Sequence, residues 1–217
     1  MNNFRVKKMF RTAYEKLLFN NDNIPAPFKH TNTVFIHIPK AAGTSLCLAI
    51  YGVQVGHRAI KEYVASNKGF CESATKFAIC RDPVARCFSA YNFLKSGGMT
   101  RTDQDWSEKH LSKYDSFEDF VLNGLHRNDV LSYIHFIPQH KYIEKYHLGP
   151  SGVDLIVKLE NLEKDWFKIN ALFESDIKLA HLNKTKYSGS ERKIEFSEEI
   201  NNKIREVYSR DYWLLGY

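Results

Sequence analysis

The segment from Val34 to Leu46, VFIHIPKAAGTSL, restricts the fold more than any other stretch of the chain. Residues Thr33 to Ile38 form a short β-branched and aromatic run stopped by Pro39, which predicts a buried strand. A turn of Lys40, Ala41, Ala42 and Gly43 follows, and Thr44-Ser45 opens a helix through Leu46, Leu48, Ala49 and Ile50. Small residues in such a turn let backbone N–H groups approach an anion, and the helix N-terminus adds a favourable field. Lys40 contributes a mobile cation, Thr44 and Ser45 neutral donors. This is P-loop logic, although G-x-x-x-x-G-K-[ST] is absent and the lysine precedes the glycine. An ordinary strand–turn–helix with a lysine in its turn fits the same residues.

A second cycle of the same kind follows. Lys76 to Cys80 predicts a strand, Asp82-Pro83 an N-cap and first helical residue, and Val84, Cys87, Phe88, Tyr91 and Leu94 one helix face. Arg81 stands at the strand's end, where its planar fork suits a phosphate. Ser89 lies about two turns along the helix, able to donate to the same group. The competing role for Arg81 is to pair with Asp82. Two anion sites at two strand ends point to a ligand with two separated anionic groups. Farther on, Ser116 to Asp119 resembles a capping box that starts a helix through Leu125, Asp154 to Lys158 predicts a third strand, and helices follow over about 162–173 and 197–208. Residues 96–110 read as an exposed polar loop, and 212–217 as an aromatic tail. Alternating strands and helices give an α/β fold: P-loop-like and nucleotide-binding, with a mainly parallel central sheet flanked by helices.

Composition narrows the class. Of the 217 residues 43% are hydrophobic, enough for a sizeable core, and nothing approaches the ~18 consecutive apolar residues of a spanning helix. The N-terminal segment has neither an apolar signal-peptide core nor a small-residue cleavage site. The four cysteines show no C-x-x-C pair or metal spacing, which fits reduced thiols in a cytoplasmic protein. A net charge of +6 favours an anionic ligand or surface, but with no RNP, helix-turn-helix or zinc signature a nucleic-acid partner is not expected. Part of the charge is local: residues 4–18 have helical apolar spacing with Arg5, Lys7, Lys8, Arg11 and Lys16 off that face. Residues 1–28 are accordingly read as a basic amphipathic helix and linker, packed on the domain or touching an anionic membrane peripherally, and 29–217 as one α/β domain.

The pair PKAAGTS and RDPVARCFSAY resembles the two nucleotide-binding motifs of sulfotransferases that use 3′-phosphoadenosine 5′-phosphosulfate (PAPS), and more narrowly those of carbohydrate sulfotransferases related to heparan sulfate 2-O-sulfotransferase. The resemblance implies that Lys40, Ala41, Ala42, Gly43, Thr44 and Ser45 cradle the phosphosulfate, while Arg81 and Ser89 bind the 3′-phosphate. HLNKT (181–185) resembles a loop closing over the nucleotide, which implicates Lys184 and Thr185. Residues 207–217 are similar to the family's aromatic C-terminus. Without the membrane anchor of Golgi members, the chain looks like a soluble, bacterial-type relative acting on a carbohydrate or glycoconjugate.

Sulfuryl transfer needs positive charge on the bridging oxygen and a base for the acceptor's proton, and no divalent metal is required. Lys40 is the natural stabiliser of the leaving group. Gly56-His57 resembles the Gly-His that supplies the relatives' catalytic histidine, so His57 is the favoured base. His37 and Glu160 are its rivals: His37 matches an acceptor-binding position and also reads as a packed core histidine, and Glu160 also suits a helix N-terminus. Gln139, Trp106 and the 96–113 segment are candidates for the acceptor cleft, although core or loop packing suits Gln139 better and a solvated loop suits 96–113. An ATP-dependent small-molecule kinase and a non-catalytic nucleotide or anionic-glycan module are the alternatives.

Overall fold

The first strand, β1 (Thr33–Ile36), is buried along its whole length, as a run of Val, Phe and Ile must be when both faces of a sheet are covered. The computed structural model describes residues 23–146, 149–174, 177 and 195–217. Within them β1, β2 (Thr75–Cys80) and β3 (Leu155–Lys158) form a three-stranded parallel sheet in the order β1-β2-β3. Phe35 lies opposite Phe77, and Phe77 opposite Leu155, so one row of apolar side chains crosses the sheet. The mixed α/β architecture with a parallel sheet flanked by helices is thus the one expected.

The chain enters through α1 (Ala26–Thr31), which seats Phe28 in the core. The linker expected up to residue 28 thus already carries the start of a helix. Pro25 and Pro27 stand at the helix start, where a missing N–H costs nothing. After β1 come α2 (Gly43–Tyr51), α3 (Ile60–Ser66) and α4 (Lys68–Ser73), which return the chain to β2. Beyond β2, α5 (Pro83–Lys95) is capped by Asp82, whose carboxylate accepts from Ala85 N at 2.8 Å.

The segment 96–110, expected as an exposed loop, carries α6 (Arg101–Leu111). Thr100 and Asp103 cap it reciprocally: Thr100 Oγ1 accepts from Asp103 N at 3.1 Å, and Asp103 Oδ2 from Thr100 N at 3.0 Å. Gly98 precedes it at φ +64, and a Cβ there would strike the Asp103 side chain. The helix is so polar because little more than Asp103 and Leu111 is buried. Three shorter helices, α7 (Phe117–Asn123), α8 (Asn128–Leu131) and α9 (His140–Ile143), precede β3, and α10 (Leu162–Asn170), α11 (Glu198–Val207) and α12 (Ser209–Leu215) follow it. The expected aromatic tail is therefore mostly helical.

Two apolar clusters result. One surrounds the sheet with Val34, Ile36, Phe77, Ile79 and Val157; the other, built from α5, α7 and α11, holds Cys87, Leu94, Phe120, Phe136 and Ile204. No helix among the described residues is long and apolar enough to cross a membrane.

Candidate active site

The carboxyl end of β1 runs into a turn with unusual backbone. Lys40 and Ala42 have φ values of +68 and +59, a left-handed conformation that costs a residue with a Cβ about 1–2 kcal/mol. Such strain persists only where the surroundings enforce it, and it clusters at ligand sites. Gly43 serves close approach instead, because a Cβ there would run into the His37 ring. The turn delivers α2 with no side-chain cap, so its first N–H groups remain for an anion. Neither Thr44 nor Ser45 spends its hydroxyl on a protein partner among the described residues.

Lys40 projects over the Phe93 ring, 3.8 Å from its centroid. Burial, then the charge of Arg81, pushes its ammonium down to about 8, with Asp103 pulling the other way. No ion pair neutralises it among the described residues, so an incoming anion meets a desolvated cation.

His37 and His57 lie together on the β1 side, ring centroids 4.0 Å apart. His57 Nδ1 donates to the His37 carbonyl at 2.9 Å, which leaves Nε2 as an acceptor. Burial lowers the His57 pKa, and the charges of Lys40 and Arg86 add to this against the pull of the His37 carbonyl. His57 is therefore a neutral imidazole with a usable lone pair near pH 7. His37 is only 2% exposed, stacks on Phe35, and is pushed down to about 3 by burial and by His57. It holds His57 rather than facing a substrate.

Arg81, at the end of β2, sends Nη1 to the Lys40 carbonyl at 3.2 Å, joining the two strand-end motifs directly. Among the described residues its other N–H groups have no protein partner. Ser89 is half-buried on α5, one helical turn beyond Arg86, its hydroxyl without a protein partner among the described residues. Glu160 has both oxygens engaged, Oε1 accepting from Asp82 N at 2.7 Å and Oε2 from Tyr217 O–H at 2.9 Å. That fixes the Arg81-Asp82 corner and leaves Glu160 poorly disposed to act as a base.

Other functional side chains carried no signature in the sequence. Arg86 is 1% exposed, and its guanidinium binds three carbonyls: Pro39 at 3.0 Å, Ile137 at 2.7 Å and His135 at 3.3 Å. Among the described residues this buried cation is paired only with carbonyls, which adds positive potential behind the turn. Asp103 accepts from Tyr133 O–H at 2.7 Å, from His135 Nε2 at 3.2 Å and from the Thr100 and Met99 N–H groups. Although burial opposes it, these bonds hold its carboxyl down at about 2. Only the one-turn offset of Arg86 from Asp82, and the Thr100–Asp103 capping pattern, hint at these roles.

Two candidates for the acceptor cleft have partners within the fold. Trp106 is stacked on Tyr133 with centroids 4.0 Å apart and planes at 7°, and Gln139 is fully buried against the Arg81 backbone. Residues 4–18, Lys184 and Thr185 lie outside the described residues.

Comparison with known proteins gives one positive finding. The description "Sulfotransferase family" applies to residues 28–217, so the chain belongs to the sulfotransferase family, transferases with a P-loop-like fold. No curated protein and no solved structure gives a match.

Proposed function

We propose that this sulfotransferase moves a sulfuryl group from PAPS to a hydroxyl of a carbohydrate acceptor, within one domain at residues 29–217. The observation that carries the reading is the bond of 3.2 Å between Arg81 Nη1 and the Lys40 carbonyl. It sets two cationic sites side by side at adjacent parallel strand ends, where nucleotides bind in open α/β sheets. A nucleotide with anionic groups at both its 5′ and 3′ positions matches that pair. The residues fit it: Lys40 is desolvated and has no ion-pair partner among the described residues, the turn is strained, and α2 has no side-chain cap.

In this reading Lys40, Ala41, Ala42, Gly43, Thr44 and Ser45 hold the phosphosulfate and Arg81 and Ser89 the 3′-phosphate, with Lys184 and Thr185 closing over the nucleotide. Bound PAPS supplies the transferable sulfuryl group and its leaving phosphate. Lys40 stabilises charge on the leaving side. His57 takes the acceptor's proton at Nε2, held in that tautomer by the His37 carbonyl. Of residues 1–28, the basic stretch 4–18 is the part proposed to meet an anionic membrane surface in the cytoplasm, since Ile24 and Phe28 are buried in the core.

The test is acceptor-dependent release of the product nucleotide PAP from PAPS in the presence of a chelator. Release with polysaccharide acceptors supports the reading. Release with small phenols alone overturns the carbohydrate assignment, and transfer from ATP·Mg²⁺ instead overturns the donor.

A further inference from the structure

Gln139 is 0% exposed, yet both ends of its amide are spent on a single residue. Oε1 accepts from Arg81 N at 3.0 Å and Nε2 donates to the Arg81 carbonyl at 2.8 Å. The β2 ladder ends at Cys80, so this pair of bonds replaces the next rung and holds the first residue beyond the strand. Gln139 is in turn seated by Asp211 of α12, also 0% exposed. Asp211 Oδ2 accepts from Gln139 N at 2.8 Å, while Oδ1 accepts from His140 N at 2.8 Å and contacts His140 Nδ1 at 2.7 Å. A buried carboxylate is tolerated because it is bonded this fully. From Asp211 an unbroken line of bonds runs through Gln139 and Arg81 to the Lys40 carbonyl.

We infer that Gln139, seated by Asp211, is a positioning residue for Arg81 and sets how well the site distinguishes a nucleotide bearing a 3′-phosphate from one without it. The inference rests on the proposed reading of Arg81. A guanidinium fork grips a phosphate in a narrow range of angles, so the backbone that launches it must be fixed to within about half an ångström. Gln139 holds the peptides on both sides of the Arg81 Cα, and Glu160 holds the second of them again through Asp82 N. The packing of this region does not depend on Gln139 alone, because Arg86 ties residues 135 and 137 to Pro39 independently.

Calorimetric titration of the full chain with PAP and with 5′-AMP tests this. Wild type should prefer PAP, and Gln139→Met should lose about tenfold in PAP affinity while 5′-AMP changes less than twofold, the effect expected from losing a well-made hydrogen bond to a charged group's anchor. A variant that is merely less folded lowers the number of binding sites for both nucleotides and leaves the ratio of affinities alone. If Gln139→Met does not fold, Asp211→Asn, which keeps the side chain's volume, should lower the same ratio. An unchanged ratio in the folded variants overturns the inference. Failure of wild type itself to prefer PAP overturns the reading of Arg81, and the inference with it.

Discussion

His57 donates its Nδ1 proton to the backbone carbonyl of His37, 2.9 Å away, and the two rings lie 4.0 Å apart. A carbonyl can only accept, so the bond selects one tautomer and presents Nε2 as a lone pair. The two histidines therefore have different duties, one holding and one held. The chain of support continues to Gly43, whose missing Cβ leaves room for the His37 ring beside the phosphate-binding turn.

His57→Ala should lower kcat by ~10²–10⁴-fold, the range of a lost general base, and leave PAP affinity within about twofold. Initial rates and calorimetry on the same preparation check this. Loss of binding in step with turnover would place His57 in the nucleotide site instead.

The pH dependence of kcat/KM follows from two groups displaced in the same direction. Burial keeps His57 neutral to below the ordinary histidine value, so activity should persist at pH 6.5 and fall only at lower pH, as protonation consumes the base. Lys40 is pushed down to about 8, so activity should fall again as pH rises through that value and the ammonium loses its charge. In kcat the alkaline limb should move up, because a bound anion favours the charged amine. Rate profiles from about pH 5 to 10 show both limbs.

Gly43→Ala forces the His37 ring to move and with it the carbonyl that orients His57. Turnover should drop by ~10²-fold or more, since small misplacements of reacting groups have that effect. The melting temperature should fall only modestly, because the collision is local.

Arg86→Met has the opposite signature. Three carbonyls, those of Pro39, His135 and Ile137, lose their donor in a buried place. The expected loss is about 3 kcal/mol, or roughly 6–12 °C in melting temperature for a domain of this size, read by calorimetric melting. A melting temperature within a degree or so of wild type would contradict that role.

The strand–turn–helix units were legible because their signals are local. Pro39 follows the end of β1 by three residues, and Asp82-Pro83 starts α5. Lys40 and Arg81 could be chosen for the same reason, each standing at a strand's end. The polar α6 was hidden because its buried face is made by Asp103, a carboxylate whose partners Tyr133 and His135 lie thirty residues on. The role of Gln139 is hidden for a related cause: an amide beside a histidine suits core packing as well as a cleft, and nothing near it in the sequence names the Arg81 backbone as its partner. Periodicity reports what faces the core. It does not report long-range pairing of polar groups.

The account depends most directly on what the two strand-end cations bind. Calorimetric titration of the wild-type chain with PAP, 5′-AMP and ATP·Mg²⁺ measures it. The account predicts tight PAP binding that is indifferent to Mg²⁺ and at least tenfold weaker binding of 5′-AMP, because the 3′-phosphate has Arg81 waiting for it. Equal affinity for PAP and 5′-AMP, or a preference for ATP·Mg²⁺, would contradict it.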